Sequence, residues 1–344
     1  MEQVGIVVIG AGCVGAAVAY ALRNSGREVF VLERAPRPCM GMSSRNSGVV
    51  HAGIYYPKES LKTRLCRRGN RLLHEFAPKH GVPFEKVGKY IVAHDAAACA
   101  TLEQLYQHNL GAVPLEWRTA EQVPNGVHCR KALFSPTTAI IDQDSLVNKL
   151  LEESGAELLL HQEVTSVTAE ENGVILTING ETCRASWVFN CGGLDSDQLC
   201  NHTTHFYARG VYFQIKPPPG IQLPHLVYPA VPKERETLGI HLTCNLAGEW
   251  YLGPDIEWID TPSYGVDPNR ADAFYRAAVT YLPWLERNML QPGYAGVRAK
   301  RSRHHFSDFL FHREGRLVHC LGIESPGLTA AMAIGEMLAA DCIA

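Results

Sequence analysis

The beginning of the chain alternates between apolar runs and a glycine-rich turn. The β-branched run at residues 5–9 predicts a buried parallel strand, and the alanine-rich segment 16–24 predicts a helix. Residues 10–15, Gly-Ala-Gly-Cys-Val-Gly, form the turn between them, and residues 28–32 predict a second strand. This order of strand, turn, helix and strand predicts a β-α-β unit with parallel strands.

Farther along, the same patterns predict more strands and helices. Residues 142–154 predict a helix with Asp142 or Asp144 as its cap, and the β-rich runs 173–178 and 185–190 predict strands. Near the C-terminus, residues 316–321 predict a strand and residues 328–340 an apolar-faced helix. The positive N-terminal end of that last helix would point beyond the strand ends.

Composition excludes several classes of protein. The 344 residues are 46% hydrophobic and 19% charged, which is typical of a globular chain. A net charge of −3 argues against a general nucleic-acid binder, which usually carries a basic excess. The 11 cysteines include no CxxC pair, so we expect reduced thiols, no disulfide framework and no metal site. Residues 4–22 are uncharged but contain four glycines, and we expect no membrane-spanning helix there.

The glycine turn points to a dinucleotide. Gly10 permits the turn, Gly12 lets the backbone approach a pyrophosphate, and Gly15 allows the helix to pack closely on the strand. Glu33 lies 23 residues after Gly10, where an acidic side chain can accept the hydroxyl hydrogens of a ribose. NAD and FAD both fit this fingerprint. The irregular, hydroxyl-rich stretch 34–56 favours FAD, because an NAD domain would continue into another helix and strand.

The run 43–56, followed by 61–66, resembles FAD-dependent oxidoreductases of the D-amino-acid oxidase type. Within that family it is most similar to the L-2-hydroxyglutarate dehydrogenase/oxidase branch. The other segments similar to that branch are 209–213, 226–229, 238–243 and 322–330. The chain departs from the branch in being shorter, in Val211 where an acidic residue is common, and in Met332 where a proline or small residue is common.

The resemblance implies an α/β fold with two domains. One is an FAD-binding, Rossmann-like domain of the glutathione-reductase type, and the other is an α+β substrate domain built on a mostly antiparallel sheet. The expected FAD-binding domain comprises residues 1–82, 139–205 and 294–344. The expected substrate domain comprises residues 83–138 and 206–293.

The resemblance also implies the residues that contact FAD. They lie in the first turn, at the end of the second strand, in the hydroxyl-rich stretch, near the adenine, in a second glycine turn and at the start of the last helix. They are Gly10, Gly12, Cys13, Val14, Gly15, Glu33, Arg34, Ser43, Ser44, Arg45, Asn46, Ser47, Val49, His51, Val164, Cys191, Gly192, Leu194, Gly322, Gly327, Leu328 and Thr329.

The implied reaction is hydride transfer from the substrate to flavin N5. Arg298 matches the family's arginine that binds the substrate's α-carboxylate in a fork, and His51 is the candidate base for the substrate hydroxyl. We expect both to be catalytic, although His51 could instead contact only the flavin or be a hydrogen-bonded histidine of the core. The candidates for lining the substrate are Tyr228, His241 and Thr243, and those for a second, distal carboxylate are Lys62, Arg64, Lys300 and Arg45.

These implications predict an enzyme that oxidises L-2-hydroxyglutarate to 2-oxoglutarate, with reoxidation by oxygen or a quinone. The alternatives are an amino-acid or imino-acid oxidase, a flavoprotein with structural FAD only, and an NAD-linked dehydrogenase, which the 34–56 stretch disfavours. We expect a small carboxylate as substrate, no nucleic-acid partner, and a cytoplasmic location with at most peripheral contact at the inner membrane.

Overall fold

The structure, a computed structural model, describes residues 2–231 and 239–343. Its strands, numbered in chain order, are β1 Glu2–Ile9, β2 Val29–Glu33, β3 Val49–Val50, β4 Phe84–Glu85, β5 Lys89–Ala93, β6 Glu116–Thr119, β7 Lys131–Ser135, β8 Ala139–Ile141, β9 Glu157–Leu160, β10 Val164–Glu170, β11 Gly173–Ile178, β12 Glu181–Asn190, β13 Phe206–Ile215, β14 Leu226–Pro229, β15 His241–Cys244, β16 Trp250–Gly253, β17 Glu257–Ile259, β18 Gln291–Lys300, β19 Leu310–Glu314 and β20 Leu317–Leu321. The α-helices are α1 Cys13–Leu22, α2 Leu61–Lys79, α3 Ala96–Asn109, α4 Gln143–Ser154, α5 Ala271–Ala278 and α6 Gly327–Ile343.

An eight-stranded sheet contains the N-terminal β-α-β unit. Its main order is β10-β11-β12-β1-β2-β9, and β20 joins the end of β12 and carries β19 at its outer edge. β1 pairs in parallel with both β12 and β2, as the apolar run predicted. Ile6 and Val8 face the helices α1, α4 and α6, whereas Val7 and Ile9 pack on the opposite side of the sheet. Both faces of β1 are therefore buried, which explains its continuous apolar sequence.

The predicted helices are present, with small shifts at their ends. α1 begins at Cys13, earlier than the predicted residue 16, because Gly12 already serves as its N-cap. Asp142 caps α4, its side chain accepting a 2.7 Å hydrogen bond from the Ser145 backbone N–H. α6 extends beyond the predicted 328–340 and packs against α1 and α2. Capping and packing thus set these boundaries, while the apolar periodicity located the helices.

A nine-stranded sheet forms the second part of the molecule. Its order is β17-β13-β16-β15-β14-β5-β7-β6, and β18 pairs with β13. Its pairs are antiparallel except for β14 with β5. Helix α5 covers one face, where Phe213, Phe274 and Tyr281 form a buried aromatic core. The fold class expected from the sequence, an α/β domain with a mostly antiparallel second sheet, is confirmed.

The exact division between the two parts stays a prediction. β18 pairs with β13 from Gln291 to Lys300, so the expected boundary at residue 294 falls inside one strand of the second sheet. The small sheet β3-β8-β4 also joins segments from both sides of the expected boundaries near residues 82 and 138. Within residues 2–231 and 239–343, no helix combines the length and the apolar character needed to cross a bilayer.

Candidate functional site

A large cavity lies where the two sheets meet. Its volume is about 1170 Å³, and its wall is built from the ends of β1 and β2, the stretch after β2, the start of α6, and the strands β13, β14 and β18. Ordinary small-molecule pockets have volumes of roughly 300–1,000 Å³. This cavity therefore has room for an extended cofactor together with a substrate.

The glycine turn leaves the N-terminus of α1 open to the cavity. Gly10 has φ +95°, and a Cβ there would lie 2.7 Å from the carbonyl oxygen of Cys191. A Cβ on Gly15 would lie 1.9 Å from the carbonyl oxygen of Gly10, so this glycine allows the helix to pack on the turn. Gly12, the N-cap, has no side chain to cover the helix end and lines the cavity. A bare helix N-terminus on a cavity wall suits a phosphate.

Glu33 is fixed at the end of β2 by backbone groups. Its Oε2 accepts a 2.9 Å hydrogen bond from the Ala11 N–H, and its Oε1 accepts a 2.8 Å hydrogen bond from the Ala35 N–H. A carboxylate has about four acceptor sites, so two remain for ligand hydroxyls. A carboxylate held there would also repel a 2′-phosphate on the ribose.

The hydroxyl-rich stretch wraps the cavity next to the turn. It holds only the short 3₁₀ turn Met42–Ser44 and the two-residue β3. The Ser43 hydroxyl accepts a 2.9 Å hydrogen bond from the Cys13 N–H, and the Asn46 amide donates to the Ser43 carbonyl at 2.7 Å. These contacts tie the stretch to the start of α1, so its backbone forms one wall of the site.

His51 stands on the cavity wall with its backbone held from two helices. Its N–H donates to the Thr329 hydroxyl at 3.0 Å, and its carbonyl accepts from the Asn70 amide at 3.1 Å and the Cys66 thiol at 3.5 Å. Burial, followed by the nearby charge of Lys89, lowers the pKa of His51 to about 3. The imidazole is therefore neutral at neutral pH, which is the form that accepts a proton.

The start of α6 faces the same space. Gly327 and Leu328 line the cavity, and α6 begins at Gly327. The N-terminal end of a helix carries a partial positive charge. It therefore favours negative charge on whatever lies in front of it.

A buried cluster of charges lies beside the start of α6. The Nζ of Lys62 donates to Oε1 of Glu324 at 2.7 Å, and the Nζ of Lys300 lies 3.3 Å from the same oxygen. The side chains of Lys62 and Glu324 are only 3% and 8% exposed. Burial alone would raise the pKa of Glu324, but Lys62, Lys300 and the more distant charge of Arg298 together outweigh burial and keep the pKa below its usual value. Glu324 is therefore ionised.

Arg298 lies on β18 close to this cluster. Its Nη1 donates to the carbonyl oxygen of Asp255 at 3.4 Å, and a Cβ on Gly210 would come within 2.8 Å of its Nη2. Gly210 thus makes room for the guanidinium. Among the described residues Arg298 forms no ion pair, so its charge is available to a ligand. Arg298, Lys62 and Lys300 against Glu324 leave this wall with two excess positive charges.

Tyr228 and His241 form another part of the wall. Their rings stack with centroids 3.5 Å apart and planes 12° apart, and both side chains are buried. Tyr212, on β13, also lines the cavity and stacks on Tyr294 at 4.4 Å. Burial raises the pKa of Tyr228 and of Tyr212, so both hydroxyls stay protonated.

Most of the residues expected at the site do line the cavity, though their roles remain predictions. These residues are Gly10, Gly12, Cys13, Val14, Glu33, Arg34, Ser43, Arg45, Asn46, Ser47, Val49, His51, Lys62, Val164, Cys191, Gly192, Leu194, Tyr228, His241, Arg298, Lys300, Gly327 and Leu328.

Six expected residues do not form part of the cavity wall: Gly15, Ser44, Arg64, Thr243, Gly322 and Thr329. The hydroxyl of Ser44 donates to the Gly41 carbonyl, and that of Thr243 donates to the Tyr251 carbonyl, so both are used locally. Arg64 is exposed on α2.

The two expected residues near the C-terminus, Gly322 and Thr329, lie outside the cavity lining. The Gly322 N–H donates to Nε2 of His205 at 3.1 Å, and the Thr329 hydroxyl, on α6, accepts a hydrogen bond from the His51 backbone N–H. Leu238, part of the 238–243 segment, lies outside the described residues.

The sequence reasoning missed three side chains that shape the site. Glu324 and Tyr212 lie inside segments that were recognised by resemblance, but a carboxylate among cations and a stacked tyrosine leave no signature of their own. Lys89 begins β5, where a lysine normally indicates a solvated strand end, yet it is fully buried. No pattern in the sequence signals that burial.

One group of possible metal ligands lies away from the cavity. Single ligand atoms of Cys200, Glu314 and His319 lie within 4.8 Å of one another. The Asn190 amide, oriented by backbone groups on both sides, donates to Nδ1 of His319 at 2.9 Å. The other ring nitrogen then carries the proton and lies 3.8 Å from Glu314. A protonated nitrogen cannot ligate a metal, so this arrangement favours a histidine–carboxylate contact.

The cavity's donor set fits FAD. Glu33 would hold the adenosine ribose, and Gly12 with the N-terminus of α1 would hold the pyrophosphate. His51 and the start of α6 would lie at the flavin ring, where the positive helix end favours its anionic form. This pyrophosphate site requires a glycine at position 12, because a Cβ there would lie 3.0 Å from the Ser43 hydroxyl oxygen.

Comparisons with known proteins agree with this geometry. Residues 5–341 match the family described as DAO, FAD dependent oxidoreductase. The chain is 36% identical to the mitochondrial L-2-hydroxyglutarate dehydrogenase of Arabidopsis thaliana, covering 98% of this chain and 83% of that protein. It is 28% identical to the L-2-hydroxyglutarate dehydrogenase of Escherichia coli strain K12, covering 96% of this chain and 90% of the relative.

A solved structure extends the agreement to the fold. The dithionite-reduced L-α-glycerophosphate oxidase of Mycoplasma pneumoniae, with FAD bound, superposes with a TM-score of 0.88 at 21% identity, covering 100% of this chain and 95% of that one. The predictions of the family, and of FAD rather than NAD as the cofactor, are confirmed. The chain belongs to the DAO family of FAD-dependent oxidoreductases.

Proposed function

We propose that this enzyme oxidises L-2-hydroxyglutarate to 2-oxoglutarate. The observation that carries the proposal is the cavity wall formed by Arg298, Lys62, Lys300 and Glu324, whose two excess positive charges match the two carboxylates of that substrate. When bound, FAD supplies the acceptor for the hydride that leaves the substrate's C2. The side chains of this chain bind the substrate and take up its hydroxyl proton.

Arg298 binds the α-carboxylate in this proposal. A guanidinium presents two parallel N–H donors that match a carboxylate, and Arg298 forms no ion pair of its own in the described ranges. Lys300 binds the distal carboxylate. It is the more exposed of the two lysines, at 20% against 3% for Lys62, and its contact with Glu324 is the longer one.

His51 accepts the hydroxyl proton as the hydride leaves. Its lowered pKa keeps the imidazole unprotonated before the substrate arrives. Proton removal then makes the substrate oxygen a better electron donor, which favours departure of the hydride from C2.

The relatives support this choice of substrate, since those at 36% and 28% identity are named L-2-hydroxyglutarate dehydrogenases. An amino-acid substrate with one carboxylate and an amino group would leave the second positive charge of the wall unmatched.

For the electron acceptor we propose oxygen or a quinone. For the location we propose the cytoplasm, with at most peripheral contact at the inner membrane, because 11 cysteines without a CxxC pair suit a reducing compartment.

The test is anaerobic reduction of the FAD-loaded protein, followed by the loss of flavin absorbance in a stopped-flow instrument. We expect L-2-hydroxyglutarate to bleach the flavin, and D-2-hydroxyglutarate, glycine and proline to leave it oxidised.

In Arg298→Lys we expect KM to rise about 10- to 100-fold with FAD still bound, because the bidentate contact is lost. Arg64→Lys, an exposed arginine outside the cavity, is the matched control.

Two results would contradict the proposal. One is bleaching by amino acids in preference to the hydroxy acid, which would favour the amino-acid oxidase alternative. The other is a yellow protein that no small acid reduces, which would favour structural FAD.

A further inference from the structure

An acidic residue, Asp255, touches Arg298 without pairing with its charge. Asp255 lines the cavity in the loop between β16 and β17, and its backbone carbonyl oxygen accepts the 3.4 Å hydrogen bond from Nη1 of Arg298. A Cβ on Gly210 would lie 2.8 Å from Nη2 of Arg298 and 2.9 Å from that carbonyl oxygen. The guanidinium therefore packs directly on the backbone of the loop. A carboxylate this close to a free guanidinium normally forms an ion pair with it, so its use elsewhere calls for an explanation.

The Asp255 carboxylate is held by two other groups. Its Oδ2 accepts a 3.0 Å hydrogen bond from Nε of Arg270 and another from Nη2 of the same guanidinium. Its Oδ1 accepts a 2.9 Å hydrogen bond from the Val211 backbone N–H. Arg270 precedes α5 as its N-cap and does not line the cavity. It therefore neutralises Asp255 from outside the site.

Arg270 belongs to a row of alternating charges that ends at Asp255. Its Nη1 donates to Oε2 of Glu257 at 2.6 Å, and Arg209 donates to the same oxygen through Nε at 3.1 Å and Nη2 at 2.7 Å. Without Arg270, Glu257 would keep Arg209 as its partner. Asp255 would keep a single backbone N–H, and its charge would be unpaired among the described residues. Removal of Arg270 therefore releases one particular charge, that of Asp255.

We propose that Arg270 is a positioning residue for substrate binding: by holding the Asp255 carboxylate, it keeps Arg298 free to bind the α-carboxylate of the substrate. A released carboxylate would belong to the same residue as the carbonyl that already contacts Arg298, so rotation about its side-chain bonds can bring it to the guanidinium. It would then compete with the substrate and lower the excess positive charge of the wall from two to one.

The inference rests on the proposed function, because it takes Arg298 as the site of the α-carboxylate. It deepens that function by naming a residue outside the cavity that decides whether this site is free. The role also differs from a purely structural one. A released charge can be removed by Asp255→Asn, whereas a damaged fold is not repaired by a second substitution.

The experiment is a double-mutant cycle on the FAD-loaded protein, measured by steady-state kinetics with L-2-hydroxyglutarate and L-2-hydroxybutyrate. In Arg270→Met we expect KM to rise about tenfold for both acids, because both carry the α-carboxylate, while kcat and the FAD content stay the same. Addition of Asp255→Asn should return KM to within about threefold of the parent value, since no carboxylate is left to occupy Arg298. Asp255→Asn alone completes the cycle.

Arg287→Met is the matched control. Arg287 also pairs with an aspartate, Asp272 of α5, but this pair is exposed and neither residue lines the cavity. We expect the KM of this variant to equal that of the parent.

A second measurement does not depend on turnover. It titrates the oxidised protein with 2-oxobutyrate, a monocarboxylate that has no hydride to give, and follows binding through the change in flavin absorbance. Arg270→Met should raise the Kd about tenfold, and the double variant should restore it. If Arg270→Met does not retain FAD, Arg270→Gln replaces it in both measurements, with a smaller rise because the amide can still donate one hydrogen bond to Asp255.

Unchanged KM and Kd in the Arg270 variant would overturn the proposal, and so would a loss that Asp255→Asn fails to repair. A parent enzyme that is not reduced by L-2-hydroxyglutarate, but whose Kd for 2-oxobutyrate still follows the cycle, would overturn the proposed function instead.

Discussion

Single side chains at this site differ mainly in how their charges are already used. Lys62 is held by Glu324 in a nearly dry ion pair, whereas Lys300 contacts the same carboxylate at 3.3 Å and remains partly exposed. Arg298 has only a backbone carbonyl as its partner in the described ranges. Three cations on one wall therefore have three different capacities to bind a ligand.

The replacement Lys300→Met tests which cation recognises the distal carboxylate. We expect KM for L-2-hydroxyglutarate to rise about 10- to 100-fold, because a charge-assisted hydrogen bond of about 1.5–3 kcal/mol is lost. The efficiency with L-2-hydroxybutyrate, which lacks the distal carboxylate, should stay the same. Steady-state kinetics with both substrates measure this, and an equal loss for the two acids would exclude Lys300 from the role.

At this scale the sequence located most of the residues that line the cavity, and their roles stay predictions. The family resemblance made His241 and Thr243 candidates for lining the substrate, and the two residues lie on the same face of β15. The two residues stand about 7 Å apart along the strand, and only His241 reaches the cavity. Lys89 could not have been found, because its burial depends on strands β14 and β7 that pair with β5 from distant parts of the chain.

Among the elements, the turn before α1 makes the most direct link between sequence and cofactor. Gly12 has φ −80°, a value that any residue can adopt, so a side chain there would not disturb the helix cap by backbone strain. It would instead fill the space in front of the helix N-terminus. Gly12 is therefore needed for binding a ligand at the turn and not for the backbone conformation of the turn.

In Gly12→Val we therefore expect a folded protein that has lost its FAD. The isopropyl group would occupy the path of the pyrophosphate and crowd the Ser43 hydroxyl. The flavin-to-protein ratio after gel filtration, together with circular dichroism, measures both parts of the expectation. Gly265→Ala is the control, because a Cβ at Gly265 meets no atom within 4 Å. A stoichiometric yellow Gly12→Val protein would show that the pyrophosphate lies elsewhere.

Local elements were predictable because their signals are local. The strand, turn and helix at the N-terminus follow from apolar runs and glycines that are neighbours in sequence. The strand order of the second sheet was not predictable, because β14 pairs in parallel with β5 from more than 130 residues earlier. Likewise β18 extends the second sheet through residue 300, although the expected domain boundary was placed at 294.

For the molecule as a whole, two buried basic groups near the cavity, Lys89 and His51, make the free energy of unfolding depend on pH. Burial lowers the pKa of Lys89 from 10.5 to about 7, which means that the unfolded chain binds more protons than the native one between those values. Stability then rises with pH across that window, by up to about 1.4 kcal/mol per pH unit for this one group. His51 acts in the same direction between pH 3 and 6.5.

Other buried groups oppose this rise at higher pH. Burial raises the pKa of Cys66 and Cys244 to about 12, from an ordinary value of 9.0. Above pH 9 the unfolded chain therefore loses thiol protons that the native chain keeps, and stability falls. The contribution of Lys89 is thus clearest between pH 7 and 8.5, before the thiols of the unfolded chain ionise.

Comparison of the parent protein with Lys89→Met isolates that contribution. Below pH 7 the parent bears the full cost of a buried, unpaired ammonium, so we expect the variant to have the higher thermal midpoint at pH 6.5. From pH 7 to 8.5 the thermal midpoint of the parent should rise relative to that of the variant. In this range Lys89 keeps its proton in the unfolded parent and loses it in the folded parent. Scanning calorimetry of both FAD-loaded proteins at four pH values measures the difference. If the difference in thermal midpoint between the two proteins is constant with pH, Lys89 titrates alike in the folded and unfolded chains. Its ammonium group is then not buried between the rings of Tyr55 and Tyr228.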